Sequence, residues 1–145
     1  MVAPIIGGLW LASGTPGSMS RILVVDDDSA IRHMVVQLLV GESYSVAEAE
    51  NGARALDQVR TERPDGIVLD LIMPVMDGPA FLDACRQMPD CDGIPVVVMS
   101  ATQDILDVAR QPHVKACIAK PFEIDALLAV VKRFVPRTGA FRPRS

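Results

Sequence analysis

The sequence has few of the residues that transition-metal centres and disulfide frameworks require. It contains two histidines and three cysteines without a CxxC pair, so we expect neither a zinc site nor a disulfide framework. This cysteine usage suits a reducing cytoplasm. No apolar run approaches the roughly 20 residues that would span a bilayer, so no membrane partner is expected. The 14 basic residues are outnumbered by 18 acidic ones, giving a net charge of −4, which offers no overall field for nucleic acid.

The 145 residues fit one domain with short additions at each end. We interpret residues 1–19 as an N-terminal extension (a leader, a tag or the product of an upstream start), because their apolar stretch lacks the positively charged beginning of a secretory signal. Residues 20–136 are predicted to form the domain. Residues 137–145, which carry proline and arginine, are predicted to form a flexible tail.

From residue 21 onward, short apolar runs alternate with segments of helical periodicity. The runs predict five strands, at residues 22–25, 44–47, 67–69, 95–99 and 114–119. Five helices are predicted between and after them, the first with Ser29 as its N-cap and a short fourth near residues 104–110. We interpret Asp28 and Asp77 as ordinary acids at helix N-termini. The pattern predicts an α/β fold, a flavodoxin-like doubly wound parallel sheet of order 2-1-3-4-5 with five helices.

Polar side chains follow four of the predicted strands. Asp26 and Asp27 follow strand 1, Asp70 follows strand 3, Ser100 strand 4 and Lys120 strand 5. Strands 1 and 3 are neighbours in this order, so their carboxylates converge at the edge where such sheets bind ligands. Carboxylates about 4 Å apart repel by about 4 kcal/mol at an effective dielectric of 20, which a cation or partial protonation relieves. Oxygen ligands without sulfur or imidazole favour Mg²⁺, and the lysine and serine suit a phosphoryl oxygen.

Four motifs carry a family resemblance. ILVVDDDS, VLDLIMPVMDG, VVVMSA and IAKPF resemble the four signatures of the response-regulator receiver domain of two-component signalling, and the match runs from about residue 21 to residue 135. The resemblance implies that Asp70 accepts a phosphoryl group from a phosphohistidine of a sensor histidine kinase or phosphotransfer protein. It also implies hydrolysis of that group, both steps depending on Mg²⁺, with Mn²⁺ as an alternative ion.

The same resemblance implies roles for individual residues. Asp26, Asp27 and Asp70, with the backbone carbonyl of Ile72, would hold the metal. The remaining implied positions are a switch hydroxyl at Ser100 followed by Ala101, a phosphate contact at Lys120, a cis peptide to Pro121 and a second switch position at Cys117. The family usually has an aromatic residue or histidine at this last position, which leaves open how the signal reaches the face formed by helix 4, strand 5 and helix 5.

Other functions are compatible with parts of the sequence. Asp26-x-Asp28 after an apolar strand resembles the nucleophile motif of haloacid-dehalogenase-type phosphatases, an enzyme alternative that leaves LDLIMPVMDG unexplained. A flavodoxin-like binding module would need a loop rich in Ser, Thr or Gly where three aspartates stand. The chain resembles a stand-alone, chemotaxis-regulator-like receiver acting through protein–protein contacts in the cytoplasm. It is also compatible with a receiver excised from a hybrid kinase or a transcription factor.

Overall fold

The structure is a computed structural model that describes residues 19–73, 75–101 and 108–136. It contains five strands, β1 (Arg21–Val25), β2 (Ser45–Ala49), β3 (Gly66–Asp70), β4 (Val96–Ser100) and β5 (Val114–Ala119). The described residues include four α-helices, α1 (Ser29–Gly41), α2 (Gly52–Thr61), α3 (Gly78–Arg86) and α4 (Ile124–Phe134), and a 3₁₀ turn at Pro89–Cys91. Within these residues no helix has the length and apolar character needed to cross a membrane.

All five strands run parallel in the order β2-β1-β3-β4-β5, which confirms the predicted topology. Each predicted strand overlaps an observed one. Helix α4 is the fifth helix predicted from the sequence, and the fourth, near residues 104–110, falls mainly on residues 102–107, outside the described residues. The order places β1 and β3 side by side at the centre of the sheet, so their carboxyl ends face the same edge.

The sheet is covered on both faces. Strands β3 and β4 are buried along their whole length, and successive side chains point to opposite faces. On one face Leu69 and Val98 belong to a core shared with α2 and α3, whereas Val68 and Val97 on the other face pack towards α1 and α4. Each fully buried aliphatic side chain contributes about 1.5–3 kcal/mol, so the alternation fixes the strands firmly and leaves their polar ends at the edge.

The first helix begins one residue earlier than the sequence pattern predicts. Asp28, rather than Ser29, is the N-cap, because its backbone is extended (φ −80°, ψ 108°) and its carboxylate accepts hydrogen bonds from the N–H groups of Ala30 and Ile31. Ser29 is the first helical residue. Asp77 caps α3 by accepting from the N–H of Ala80, as expected.

A single disulfide bond joins Cys85 to Cys91, although the cysteine pattern argues against a disulfide framework. The chain reverses direction after α3 and enters the 3₁₀ turn, which brings the two Cα atoms to 5.3 Å, within the range that a disulfide spans. Both residues are buried. An odd number of cysteines and the absence of a CxxC pair carry no information about such a turn.

The end of α4 is attached to the amino-terminal ends of the strands, on the side of the sheet opposite the polar residues. The hydroxyl of Tyr44, buried just before β2, donates a hydrogen bond of 2.6 Å to the carbonyl oxygen of Val135. Val135 also lies against Gly66 at the start of β3, where a Cβ would collide with the valine side chain. These contacts hold the last helix in place across the sheet.

Candidate functional site

Three carboxylates converge at the carboxyl ends of β1 and β3. Asp26, Asp27 and Asp70 each place an oxygen within 4.8 Å of the others, because the pairing of Val25 with Leu69 brings the next residues of both strands together. Asp26 is fully buried and Asp70 is 6% exposed, whereas Asp27 is exposed. The structure therefore assembles the acidic group that the strand order predicts.

Lys120, which directly follows β5, reaches into this acidic group. Its Nζ lies 3.1 Å from Oδ2 of Asp26 and 3.4 Å from Oδ1 of Asp70. Its backbone N–H donates to the carbonyl oxygen of Ser100 at 2.9 Å, and its peptide bond to Pro121 is cis. One ammonium group thus faces two buried carboxylates, with Asp27 on the open side.

The carboxyl group of Asp70 has a pKa raised from 3.8 to about 6. Burial is the main cause, and the negative charge of Asp26 adds to it. Lys120 and the backbone N–H of Ile72, which donates to Oδ1 of Asp70 at 3.4 Å, act in the opposite direction. The Lys120 ammonium alone therefore does not restore the usual acidity of this carboxyl, and a further cation would favour its ionised form. Because the site offers only oxygen ligands, it fits a hard divalent cation such as Mg²⁺.

The other predicted site residues lie at the same edge, with one exception. Ser100 ends β4 and is 1% exposed, and Ala101 after it is exposed. Ile72 is 61% exposed in the loop after Asp70. Cys117 lies further back, paired with Val98 inside the sheet, and burial raises the pKa of its thiol.

An apolar cleft of about 350 Å³ adjoins the acidic group. It lies between the first turns of α1 and the segment after β5, and its lining residues are Ile31, Met34, Ala101, Lys120, Pro121 and Phe122. Met34 is 39% exposed. Apolar surface therefore stands beside the acidic edge.

Arg32 also belongs to the site, although no sequence motif points to it. Its Nη1 donates to the carbonyl oxygen of Asp26 at 2.7 Å, and its Nε donates to Oε1 of Glu48 at 3.0 Å. Helical periodicity places this residue on a polar position of α1 and does not indicate that its side chain turns back towards β1.

Comparison with known proteins identifies the family. Residues 22–132 match the response regulator receiver domain. Response regulator MprA of Mycobacterium avium (strain 104) is 38% identical over 125 residues, which cover 81% of this chain and 52% of that protein. The chain spans about half the length of the curated relatives it matches.

Solved structures agree with this assignment. The chemotaxis response regulator CheY4 of Vibrio cholerae is 29% identical, with a TM-score of 0.75 over 81% of this chain and 99% of that one. The receiver domain of sensor histidine kinase PA1611 from Pseudomonas aeruginosa PAO1 shares the fold at 23% identity, with a TM-score of 0.73 over 80% of this chain and 97% of that one. That receiver holds a magnesium ion in its active site cleft. The comparisons give no support to a haloacid-dehalogenase-type phosphatase, and the chain belongs to the response regulator receiver domains of two-component signalling.

Proposed function

We propose that Asp70 is the phosphoacceptor of this receiver. The observation that carries the proposal is a buried carboxylate at the end of a central strand, 3.4 Å from the Lys120 ammonium and grouped with Asp26 and Asp27. The phosphoryl donor is a phosphohistidine of a sensor histidine kinase or phosphotransfer protein. A carboxylate oxygen of Asp70 forms the new bond to phosphorus as the bond from phosphorus to the histidine nitrogen breaks, and that nitrogen keeps the electron pair.

Each neighbouring side chain has a distinct part in this proposal. Asp26, Asp27 and Asp70, with the backbone carbonyl of Ile72, would hold Mg²⁺, or Mn²⁺ in its place. When bound, the ion supplies positive charge that offsets the carboxylates and the incoming phosphoryl oxygens. The ammonium group of Lys120 supplies a second positive charge from the protein itself.

The phosphorylated state would act on other proteins rather than on a small-molecule substrate. We propose that the Ser100 hydroxyl and the backbone at Ala101 respond to the phosphoryl group and change the face formed by the predicted fourth helix, β5 and α4. Cys117 is the proposed second switch position on that route. Turnover is confined to self-phosphorylation from small donors and self-dephosphorylation, so the protein is a signalling component.

The apolar cleft beside the acidic group supports docking of the phosphoryl donor there. A phosphohistidine must approach Asp70 from the open side, and the exposed side chain of Met34 stands next to that approach. We propose that an apolar surface of the donor protein packs on Ile31, Met34 and Phe122.

The wider setting of the domain is part of the proposal. Residues 20–136 form the receiver, residues 1–19 precede it as an extension and residues 137–145 follow as a tail, all in the cytoplasm. The chain spans about half the length of the curated relatives it matches. We propose a receiver that acts alone through protein–protein contacts, with a receiver excised from a hybrid kinase or a transcription factor as the alternative. The downstream target is a protein, and no nucleic acid is expected at the receiver itself.

Phosphorylation by acetyl phosphate tests the proposal. With Mg²⁺ the protein should gain one phosphoryl group by intact mass, and Asp70→Asn should gain none. Asp28→Asn is the matched control, because asparagine also caps helices and the residue lies beside the acidic pair without belonging to the cluster. Labelling of Asp70→Asn to the wild-type extent would refute the assignment. Catalytic turnover of p-nitrophenyl phosphate would favour the phosphatase instead.

A further inference from the structure

The backbone of Asp26 is held by hydrogen bonds from two neighbouring elements, and one of them acts on the peptide between Asp26 and Asp27. The N–H of Asp26 donates to the carbonyl oxygen of Ala49 at the end of β2, at 3.1 Å. The carbonyl oxygen of Asp26 accepts from Nη1 of Arg32 on α1, at 2.7 Å. Because a peptide unit is planar, fixing this carbonyl also fixes the N–H and the Cα of Asp27, the exposed member of the acidic cluster.

The side chain of Asp26 is committed to the protein as well. Its Oδ1 accepts from the N–H of Asp28 at 2.9 Å, and its Oδ2 faces Nζ of Lys120 at 3.1 Å. The first acid is therefore fixed by its own contacts. Of the two peptides that flank Asp27, Oδ1 of Asp26 holds the one that follows it and Arg32 holds the one that precedes it.

Arg32 makes two contacts that point in different directions. While Nη1 binds the Asp26 carbonyl, Nε binds Oε1 of Glu48 on β2 at 3.0 Å. The bond to Glu48 fixes the guanidinium in an orientation that directs Nη1 at the Asp26 carbonyl. A guanidinium presents donors in a fixed planar fork, which a lysine ammonium cannot reproduce.

We propose that Arg32 is a positioning residue for the metal site, holding the Asp26–Asp27 peptide so that the Asp27 carboxylate converges with Asp70. This inference rests on the proposed function, since it assumes that the acidic cluster binds Mg²⁺. Residues that orient the ligands of a metal commonly affect its affinity by about 10- to 100-fold. Loss of the Arg32 side chain is expected to weaken Mg²⁺ binding by about tenfold.

Mg²⁺ titration by calorimetry on the full chain, with thermal melts in EDTA, provides the test. Arg32→Ala should raise the Mg²⁺ dissociation constant about tenfold, and Arg32→Lys should not restore it, because charge without the fork does not orient the peptide. Arg54→Ala is the matched control, as the guanidinium of Arg54 makes an exposed ion pair with Glu50 at 3.3 Å instead. Labelling of Arg32→Ala should recover towards the wild-type rate at high Mg²⁺.

Two variants of Glu48 test the inference even if Arg32→Ala fails to fold. Glu48→Ala leaves Arg32 in place but releases its guanidinium, and should weaken Mg²⁺ binding, whereas Glu48→Gln keeps an acceptor and should not. Wild-type affinity in Arg32→Ala, or full restoration by Arg32→Lys, would overturn the inference alone. A wild-type protein that binds no Mg²⁺ and gains no phosphoryl group would overturn the proposed function and this inference with it.

Discussion

The ammonium nitrogen of Lys120 lies 3.4 Å from Oδ1 of Asp70, yet the pKa of that carboxyl stays at about 6. Burial and the charge of Asp26 outweigh the favourable ion pair. Ionising Asp70 therefore costs free energy in the folded protein, and a second cation at the acidic edge would offset that cost.

The free energy of unfolding of the metal-free protein should fall as the pH rises through 6. The pKa of Asp70 is raised from 3.8 to about 6 in the folded state, so its favourable contribution is complete below about pH 4 and is lost through pH 6. Asp70→Asn should be more stable than the wild type at about pH 8 by about 1–3 kcal/mol, and the difference should vanish near pH 4. Urea titrations in EDTA measure this. An equal gain in Asp28→Asn would show that the burial of Asp70 is not the cause.

Replacing Gly78 by alanine should disturb Asp70. A Cβ at Gly78 would lie 2.6 Å from the Cα of Leu71 and 3.0 Å from the carbonyl oxygen of Asp70, and such backbone atoms cannot move cheaply. We expect a loss of about 1–3 kcal/mol in the free energy of unfolding and slower labelling by acetyl phosphate. Gly41→Ala is the control, because a Cβ there has no neighbour within 4 Å. Unchanged labelling in Gly78→Ala would show that α3 does not support the site.

Reduction should destabilise the protein without preventing phosphorylation. The Cys85–Cys91 bond closes a short loop, for which chain entropy gives a stabilisation of about 2 kcal/mol. A phosphine reductant should lower the melting temperature of the wild type and of Cys117→Ala. It should leave the Cys85→Ala/Cys91→Ala double variant unchanged. If the reductant left the melting temperature of the wild type unchanged, the disulfide would not stabilise the fold.

The coupling from phosphate to protein surface should depend on Ser100 more than on Cys117. Cysteine is small and a weak donor, so its rotation can change little packing where the family usually has an aromatic residue or histidine. Amide NMR shifts of β5 on adding acetyl phosphate and Mg²⁺ should persist in Cys117→Ala and shrink in Ser100→Ala. The reverse pattern would place the switch at Cys117.

The fold and the acidic cluster were predictable because both follow from period and topology. Apolar runs at strand length define β1 and β3, and parallel order then brings Asp26 and Asp70 together. Local choices between similar residues were not predictable. Asp28 and Ser29 are both able to cap a helix, and in the structure the extended backbone and the carboxylate of Asp28 make it the N-cap.

Contacts that depend on a turn or on a side-chain rotamer were also beyond the sequence. The disulfide requires the reversal between α3 and the 3₁₀ turn, which brings Cys85 and Cys91 together. The contact from Arg32 to Asp26 requires a side chain that folds back over the helix N-terminus. Neither spacing nor periodicity carries such information.

The hydrogen bond between Tyr44 and Val135 fixes the position from which the chain leaves the domain after α4. It fixes the end of α4 beside Gly66, four residues along β3 from Asp70, which corresponds to roughly 13 Å at 3.3 Å per residue. A second domain attached after residue 136 would thus be tethered at the opposite end of the sheet from the proposed phosphoacceptor. Contact between such a domain and Asp70 would require a linker that runs back along the whole length of the sheet.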